Sequence, residues 1–216
     1  MQQVDASAAA LDAEIRACQT CGLCTTRTNA VPGDGPINAA VMAVGEAPGQ
    51  TEDATGHPFV GAAGNLLNSL LEGIGLSRSA IFITNIVKCR PPGNRDPLDG
   101  EVAACAPYLD QQIDLVKPEV ILLLGRHALH RLIPDAPTIS KAHGTVLTRG
   151  ERTYIPLYHP AAALYNGSLL TTLREDMNTV HQVLRERGAA QGSGNSGNGN
   201  TLSRQLSLSW TAEEQP

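Results

Sequence analysis

Four short apolar runs alternate with segments of helical periodicity, and this alternation constrains the fold more than any other feature of the sequence. The runs are AAVMAVG (39–45), AIFITNIV (80–87), EVILLLG (119–125) and TYIPLYH (153–159), and each predicts a strand. Continuous apolar strands are buried on both faces, and their alternation with helices is typical of a parallel sheet covered on both sides. We therefore predict an α/β fold, a three-layer α/β/α domain with a central four-stranded parallel sheet.

Helical periodicity covers residues 65–76, 96–116, 126–133 and 169–188, with Asp96 as the N-cap and Pro97 in the first turn of the second helix. We predict one domain over residues 1–188. Residues 189–216 begin with AAQGSGNSGNGN, a low-complexity tract that predicts a flexible tail. The final segment, 201–216, carries scattered leucines and a tryptophan, so a short protein-docking motif is the alternative to disorder there.

Composition excludes several classes of protein. No stretch approaches the roughly 18 consecutive apolar residues of a membrane span, so we expect no membrane association. The N-terminus has no basic segment before an apolar block, which argues against a secretion signal and favours a cytoplasmic, nucleoid-associated protein. The net charge of -5 argues against a general polyanion binder, although Lys88, Arg90 and Arg95 form an acid-free basic run.

Polar residues follow three of the predicted strands. In an open parallel sheet, ligands bind beyond the carboxyl ends of the strands, where this sequence places Glu46, Asn85 and His159. A carboxylate, an amide and an imidazole on one rim would form an acid/base and hydrogen-bonding set. Taken singly, each has a structural alternative: a helix cap, a turn and a core histidine, respectively.

A glycine-rich loop, GEAPGQTEDATGHPFVGAAG (45–64), follows the first predicted strand. Its bare backbone can approach a planar ligand or a phosphate closely. It lacks the G-x-G-x-x-G of a dinucleotide fold and the Gly-Lys-Ser/Thr of a P-loop. Phe59 lies within this loop, as a core plug or as a stacking platform for a base.

Five cysteines, at positions 18, 21, 24, 89 and 105, form the second strong pattern. Without a secretion signal, C-x2-C combined with a distant C-x15-C indicates a four-thiolate metal site, with three candidates for the two N-terminal positions. Zinc and an iron–sulfur cluster both accept thiolate ligands, and the spacing does not choose between them. A redox-active C-x-x-C is the alternative.

Three motifs together carry a resemblance to a known family. GEAPGQTEDATGHPFVGAAG, then TNIVKCRPPGNRDP with Cys105 downstream, then HPAAAL, resemble the fourth family of uracil-DNA glycosylases, the thermostable iron–sulfur type, over about residues 18–187. The resemblance implies a DNA-repair hydrolase of base excision repair. Such an enzyme flips uracil out of single- or double-stranded DNA and hydrolyses its N-glycosidic bond, leaving an abasic site. It also implies a 4Fe–4S cluster on Cys18, Cys21, Cys89 and Cys105, with Cys24 spare.

The resemblance also assigns roles within the pocket. Phe59 would stack on uracil, and Asn85 would read the edge that distinguishes uracil from cytosine. His159 would stabilise the departing uracil anion, assisted by backbone amides of Gly45, Ala47 and Gly49. Glu46 would orient water or stabilise the cationic sugar.

Contacts with DNA are implied for Lys88, Arg90 and Leu164. At His143 the sequence departs from the family, in which an arginine precedes the glycine; His143 would contact DNA there, or would simply be exposed. Leu164 would be the apolar wedge that fills the vacated space in the duplex. The sequence departs from the family at Tyr165, where an arginine is common. We expect a monomer, and the C-terminal tail would be the docking segment for a protein partner if the docking alternative to disorder holds. The rival hypothesis is a non-catalytic module that binds uracil or damaged DNA, and it would not need His159.

Overall fold

A computed structural model describes residues 2–192, and a mixed five-stranded sheet forms its centre. The strands are β1 (Val41–Gly45), β2 (Phe82–Asn85), β3 (Val120–Leu124), β4 (Leu147–Arg149) and β5 (Arg152–Leu157). They lie in the order β2-β1-β3-β5-β4, and only β4 is antiparallel to its neighbour. The predicted α/β fold and its four parallel strands are confirmed. The sheet has five strands where four were predicted. The additional strand is the short edge strand β4, which contains no continuous apolar run.

Helices cover both faces of this sheet. They are α1 (Gln2–Ala17), α2 (Gln50–Thr55), α3 (Ala62–Glu72), α4 (Asp99–Val116), α5 (Arg126–Leu132), α6 (Ile139–Ala142), α7 (Pro160–Ala163) and α8 (Gly167–Gly192). Short 3-10 turns form at Gly22–Thr25, Arg78–Ala80 and Pro92–Asn94. Among the described residues, no helix combines the length and the apolar character needed to cross a bilayer.

Alternating side chains of the strands build two separate cores. In β1, Met42 and Val44 pack with residues of α1, α4 and α5, whereas Val41 and Ala43 pack with residues of α3, α7 and α8. Every residue of β1, β2 and β3 is buried. Because the sheet is apolar on both faces, polar chemistry is confined to the ends of its strands.

Several helix boundaries differ from the sequence prediction, including both ends of α3, which is Ala62–Glu72 where residues 65–76 were predicted. Helix α4 begins at Asp99 because the carboxylate of Glu101 accepts the backbone N–H of Leu98 at 2.8 Å, while Asp96 pairs with Arg126 instead of capping the helix. Helix α8 continues past Gly188 to Gly192. The rest of the predicted tail, 193–216, lies outside the described residues, as does its proposed docking segment.

The central strand supplies a test of this packing. Leu122 of β3 is fully buried. Leu122→Ala should lower the free energy of unfolding by about 2–5 kcal/mol, because it removes apolar contacts and leaves a cavity. The matched control is Leu98→Ala, at a position that is 59% exposed, and it should change stability by less than about 0.5 kcal/mol. Equal losses in denaturant unfolding would contradict the assigned core.

Candidate active site and cysteine pocket

A cavity of about 270 Å³ opens at the carboxyl ends of β1, β2 and β5. Its walls include the four side chains predicted from the sequence to act on the substrate: Glu46, Phe59, Asn85 and His159. Ala47 and Gly49 also line it. The volume is near the lower end of the range for ligand cavities, about 300–1,000 Å³, and so suits a small planar ligand.

Asn85 stands at the floor of the cavity, directly opposite Gly45 in the parallel pairing of β1 and β2. Its side chain is 1% exposed, and Oδ1 is the one buried side-chain polar atom without a hydrogen-bond partner among the described residues. A Cβ at position 45 would lie 2.5 Å from this oxygen and 2.5 Å from the ring of Phe59. Only glycine therefore lets the amide and the ring meet here.

His159 ends the chain segment that follows β5 and caps α7. Its Nδ1 accepts the backbone N–H of Ala161 at 3.2 Å, so the ring proton of the neutral imidazole lies on Nε2. Burial lowers the pKa of His159 to about 4. The ring centroid lies 5.7 Å from that of Phe59. His159 is thus an uncharged hydrogen-bond donor beside an aromatic ring.

Glu46 faces the same cavity from the other side. Burial raises the pKa of this carboxyl, while the nearby His127 opposes the shift. The closest atoms of the two side chains, Oε2 and Nε2, are 3.8 Å apart, and Nε2 lies 3.5 Å from Asp96 Oδ2. The sequence interpretation missed the place of Asp96 and His127 at this rim. Asp96 lies in the loop before α4, and His127 lies just after the carboxyl end of β3.

Glu52 is a further residue that the sequence interpretation missed. Its carboxylate accepts the backbone N–H groups of Gly49, Val60 and Gly61 at 3.1, 2.9 and 2.8 Å. The N–H of Gly49 is thus already bonded to Glu52, although the residue lines the cavity, and its predicted contact with substrate stays a prediction. The spacing of Gly49 and Glu52, typical of a capping box, is the pattern that could have indicated this link.

All five cysteines border a second pocket, between α1, α4 and the segment after β2. All are free thiols, and Cys89 and Cys105 are buried. Arg27 Nη1 donates to Cys89 Sγ at 3.0 Å, and the backbone N–H of Lys88 donates to Cys105 Sγ at 3.3 Å. Burial raises the pKa of Cys105 to about 11, so this thiol needs a cation to become a thiolate.

Lys88 lies between the two pockets and is 1% exposed. Its ammonium donates to Thr84 Oγ1, the backbone oxygen of Asn85 and Gln112 Oε1, each at 2.7 Å. Burial lowers its pKa to about 7. The predicted contact of Lys88 with DNA is wrong, because all three donors of the ammonium are used inside the protein.

The remaining residues predicted to contact DNA lie at or near the surface. Arg90 is half-buried, and its Nε donates to Asn94 Oδ1 at 2.7 Å. His143 is also half-buried; its Nδ1 lies 3.0 Å from Asp176 Oδ2, and its ring packs beside Tyr158. Leu164 and Tyr165, just after α7, are 41% and 93% exposed. Leu164 thus presents an exposed apolar side chain about one helical turn after Ala161, which lines the cavity.

Comparison with known proteins identifies close relatives. The model of the uracil DNA glycosylase superfamily matches residues 32–184. A type-4 uracil-DNA glycosylase of Sulfurisphaera tokodaii is 48% identical over 179 residues, which cover 79% of this chain and 81% of that protein. The type-4 enzyme of Archaeoglobus fulgidus is 43% identical over 79% of this chain and 89% of its own. A type-5 enzyme of Pyrobaculum aerophilum is 34% identical over 75% and 76%, respectively.

The protonation state of His159 can be measured directly. Nitrogen NMR of histidine-labelled protein should show a neutral ring, with the proton on Nε2, from alkaline pH down to about pH 5. Protonation should follow only near its pKa of about 4, because burial opposes the imidazolium. In urea-unfolded protein the same ring should titrate near its ordinary value of about 6.5. A folded-state midpoint near that ordinary value would contradict the assignment.

Proposed function

The chain belongs to the uracil DNA glycosylase superfamily and, within it, to the type-4 uracil-DNA glycosylases, and we propose that it hydrolyses the bond between uracil and deoxyribose in DNA. The observation that carries this proposal is the buried, unpartnered Oδ1 of Asn85 in a cavity shared with Phe59 and His159. A buried polar atom without a partner is costly, so the cavity is suited to a ligand that supplies a donor there. The product is an abasic site, the starting point of base excision repair.

Recognition follows from the arrangement of hydrogen-bonding groups on the base. Uracil carries a ring N–H between two carbonyl groups, so its N–H donates to Asn85 Oδ1 while the amide nitrogen donates to the adjacent carbonyl. Cytosine carries an unprotonated ring nitrogen and an amino group at those positions, and both would face a like partner. The mismatch leaves buried groups unpaired, which is the strongest form of discrimination available to such a site. Phe59 stacks on the flat face of the everted base.

Bond cleavage places negative charge on uracil and positive charge on the sugar. His159 donates from Nε2 to a uracil oxygen, and as a neutral donor it stabilises the departing anion without transferring a full proton. Glu46 orients the attacking water and accepts its proton, and the burial that raises its pKa makes it a stronger base. The loop carrying Gly45 and Ala47 closes the pocket over the same oxygen.

We further propose that Cys18, Cys21, Cys89 and Cys105 hold a 4Fe–4S cluster, with Cys24 spare. Within residues 2–192, one group of three possible metal ligands has its ligand atoms within 4.8 Å of one another, and it consists of Glu46, Asp96 and His127. No three sulfurs of the described cysteines are this close together, so the sulfurs are spread more widely. Thiolates around one zinc ion would lie about 3.8 Å apart, as tetrahedral Zn–S bonds of about 2.3 Å require. A multi-iron cluster accepts sulfurs that lie further apart than this, whereas one zinc ion would have to draw the four sulfurs together.

The cluster would act as a structural cross-link, since hydrolysis of the glycosidic bond transfers no electrons. Its cysteines join the segment after α1 to the segment after β2 and to α4. N–H groups of Arg27 and Lys88 are already directed at two of the sulfurs, as ligating thiolates require. The resulting tie holds the chain that runs from Asn85 to Arg90 against the rest of the domain.

DNA binds across the mouth of the cavity in this proposal. Leu164 enters the duplex as a wedge, and Arg90 and His143 contact the backbone. The rival function, a module that binds uracil-containing DNA without cutting it, uses the same cavity but not the donor on His159.

A cleavage assay separates the two functions. Wild-type protein incubated with a uracil-containing duplex and then with alkali should break the strand at uracil. His159→Ala should lower the single-turnover rate by about 10²–10³-fold, because a pre-organised donor to the leaving group is lost. The control His181→Ala, on α8 away from the cavity, should keep the wild-type rate. Wild-type binding without strand breakage would establish the non-catalytic module.

The cysteine ligands can be tested without an activity assay. Cys105→Ser should lose the visible absorbance of an iron–sulfur cluster together with its bound iron and sulfide, because one thiolate ligand is missing. Cys24→Ser borders the same pocket and should retain all three. Loss of iron from Cys24→Ser with retention in Cys18→Ser would reassign the N-terminal ligands. Bound zinc in place of iron would overturn the cluster.

A further inference from the structure

The backbone of Phe59 adopts a conformation that an aromatic residue rarely takes. Its φ is +51°, in the left-handed region, and the residue is not glycine. A bulky side chain at positive φ is unfavourable unless surrounding contacts fix it. Contacts of the neighbouring peptide groups must therefore hold Phe59 in this conformation at the wall of the cavity.

Arg78, in the 3-10 turn before β2, holds both peptide groups that flank the Phe59 Cα. Its Nη2 donates to the backbone oxygen of Pro58 at 2.6 Å, and its Nη1 donates to the backbone oxygen of Phe59 at 3.0 Å. The orientation of the first peptide sets φ of Phe59, and that of the second sets ψ. One guanidinium thus constrains both torsions that aim the ring.

Contacts on the other side of the loop complete this constraint. The peptide after Phe59 is held at its opposite end, where the N–H of Val60 donates to Glu52 Oε1 at 2.9 Å. Helix α3 packs directly on the same carbonyl, since a Cβ at Gly64 would lie 1.9 Å from the oxygen of Phe59. The second peptide group is therefore fixed at its oxygen, at its N–H and against the helix.

The guanidinium is itself oriented by α3. Nη1 of Arg78 also donates to Asn68 Oδ1 at 3.2 Å, and the side chain is half-buried. The planar fork of arginine can serve two carbonyl groups at once, whereas the ammonium of lysine is a point donor on a flexible stem. Arg78 is not among the residues that line the cavity, so any effect on the ligand passes through Phe59.

We infer that Arg78 is a positioning residue for base recognition: it holds Phe59 in its left-handed conformation and so keeps the ring aligned with the plane of the bound base. This inference rests on the proposed function, because it assigns to the ring the role of stacking on uracil. It adds a residue more than 15 positions downstream of Phe59, outside the three motifs that carry the family resemblance.

A double-mutant cycle tests the inference. The variants are Arg78→Gln, Phe59→Gly and their combination, since glycine adopts positive φ without support and carries no ring. The readouts are the affinity for free uracil and the kcat and KM on a uracil-containing single strand, which removes the cost of opening a duplex. Arg78→Gln alone should weaken uracil binding about tenfold, and in the Phe59→Gly background it should change binding by less than about twofold.

Two further variants separate positioning from stability. Arg78→Lys should recover only part of the affinity, because lysine cannot hold both carbonyl groups in one plane. Arg131→Gln is the matched control. Like Arg78, Arg131 donates to a backbone oxygen, that of Ala106, and to a side-chain oxygen, that of Asp110, but it lies away from the cavity. It should leave uracil binding unchanged even where thermal unfolding shows a similar loss of stability.

The outcomes distinguish this inference from the proposed function. Equal losses from Arg78→Gln in both backgrounds, or full activity of Arg78→Lys, would overturn the positioning role while leaving the glycosylase intact. Wild-type protein that binds uracil without cutting DNA would overturn the proposed function alone, since Arg78 is still judged by affinity. Wild-type protein that neither binds uracil nor cuts uracil-containing DNA would overturn both.

Discussion

The close approach of β1 and β2 at Gly45 and Asn85 is the constraint on which the rest of the site depends. The two residues are paired in register, and the absence of a side chain at position 45 lets the ring of Phe59 reach the amide of Asn85. Any Cβ there would occupy the space where these groups meet. The sheet thus contributes more than a scaffold: its register brings an amide, an aromatic ring and an imidazole to one small cavity.

Lys88 connects that cavity to the cysteine pocket. Its ammonium bonds to the backbone oxygen of Asn85, and its own backbone N–H bonds to Cys105. A buried charge is tolerated only where its donors are satisfied, and here three acceptors surround it. Lys88 therefore links whatever the cysteines bind directly to the backbone of Asn85.

The features of the fold and the site that could be predicted are those set by residues close together in the sequence. The parallel strands and the convergence of Glu46, Asn85 and His159 followed from local apolar runs and from the geometry of open sheets. Strand β4 was missed because its residues are partly exposed and pair only through the neighbouring β5. Lys88 was misjudged because a lysine in a basic run is normally solvated, and its acceptor Gln112 is far away in sequence.

The supporting residues around Phe59 were beyond the reach of sequence patterns for a related reason. Arg78 donates to backbone oxygens and Glu52 accepts from backbone N–H groups. Because almost every residue carries these groups, a sequence pattern cannot show which of them will be the partner. The start of α4 was misplaced because Asp96, a good N-cap by type, forms an ion pair with a residue of α5 instead. In each case a tertiary partner overrode a reasonable local preference.

The neutrality of His159 also affects which molecules compete for the cavity. A cell contains abundant inorganic phosphate and nucleotides, and an imidazolium facing an open cavity would attract them by Coulomb forces. An uncharged N–H offers such anions little Coulomb attraction, while it can still donate a hydrogen bond to the oxygen of a neutral pyrimidine. The burial that lowers the pKa of this ring therefore also limits the attraction of the cavity for such anions.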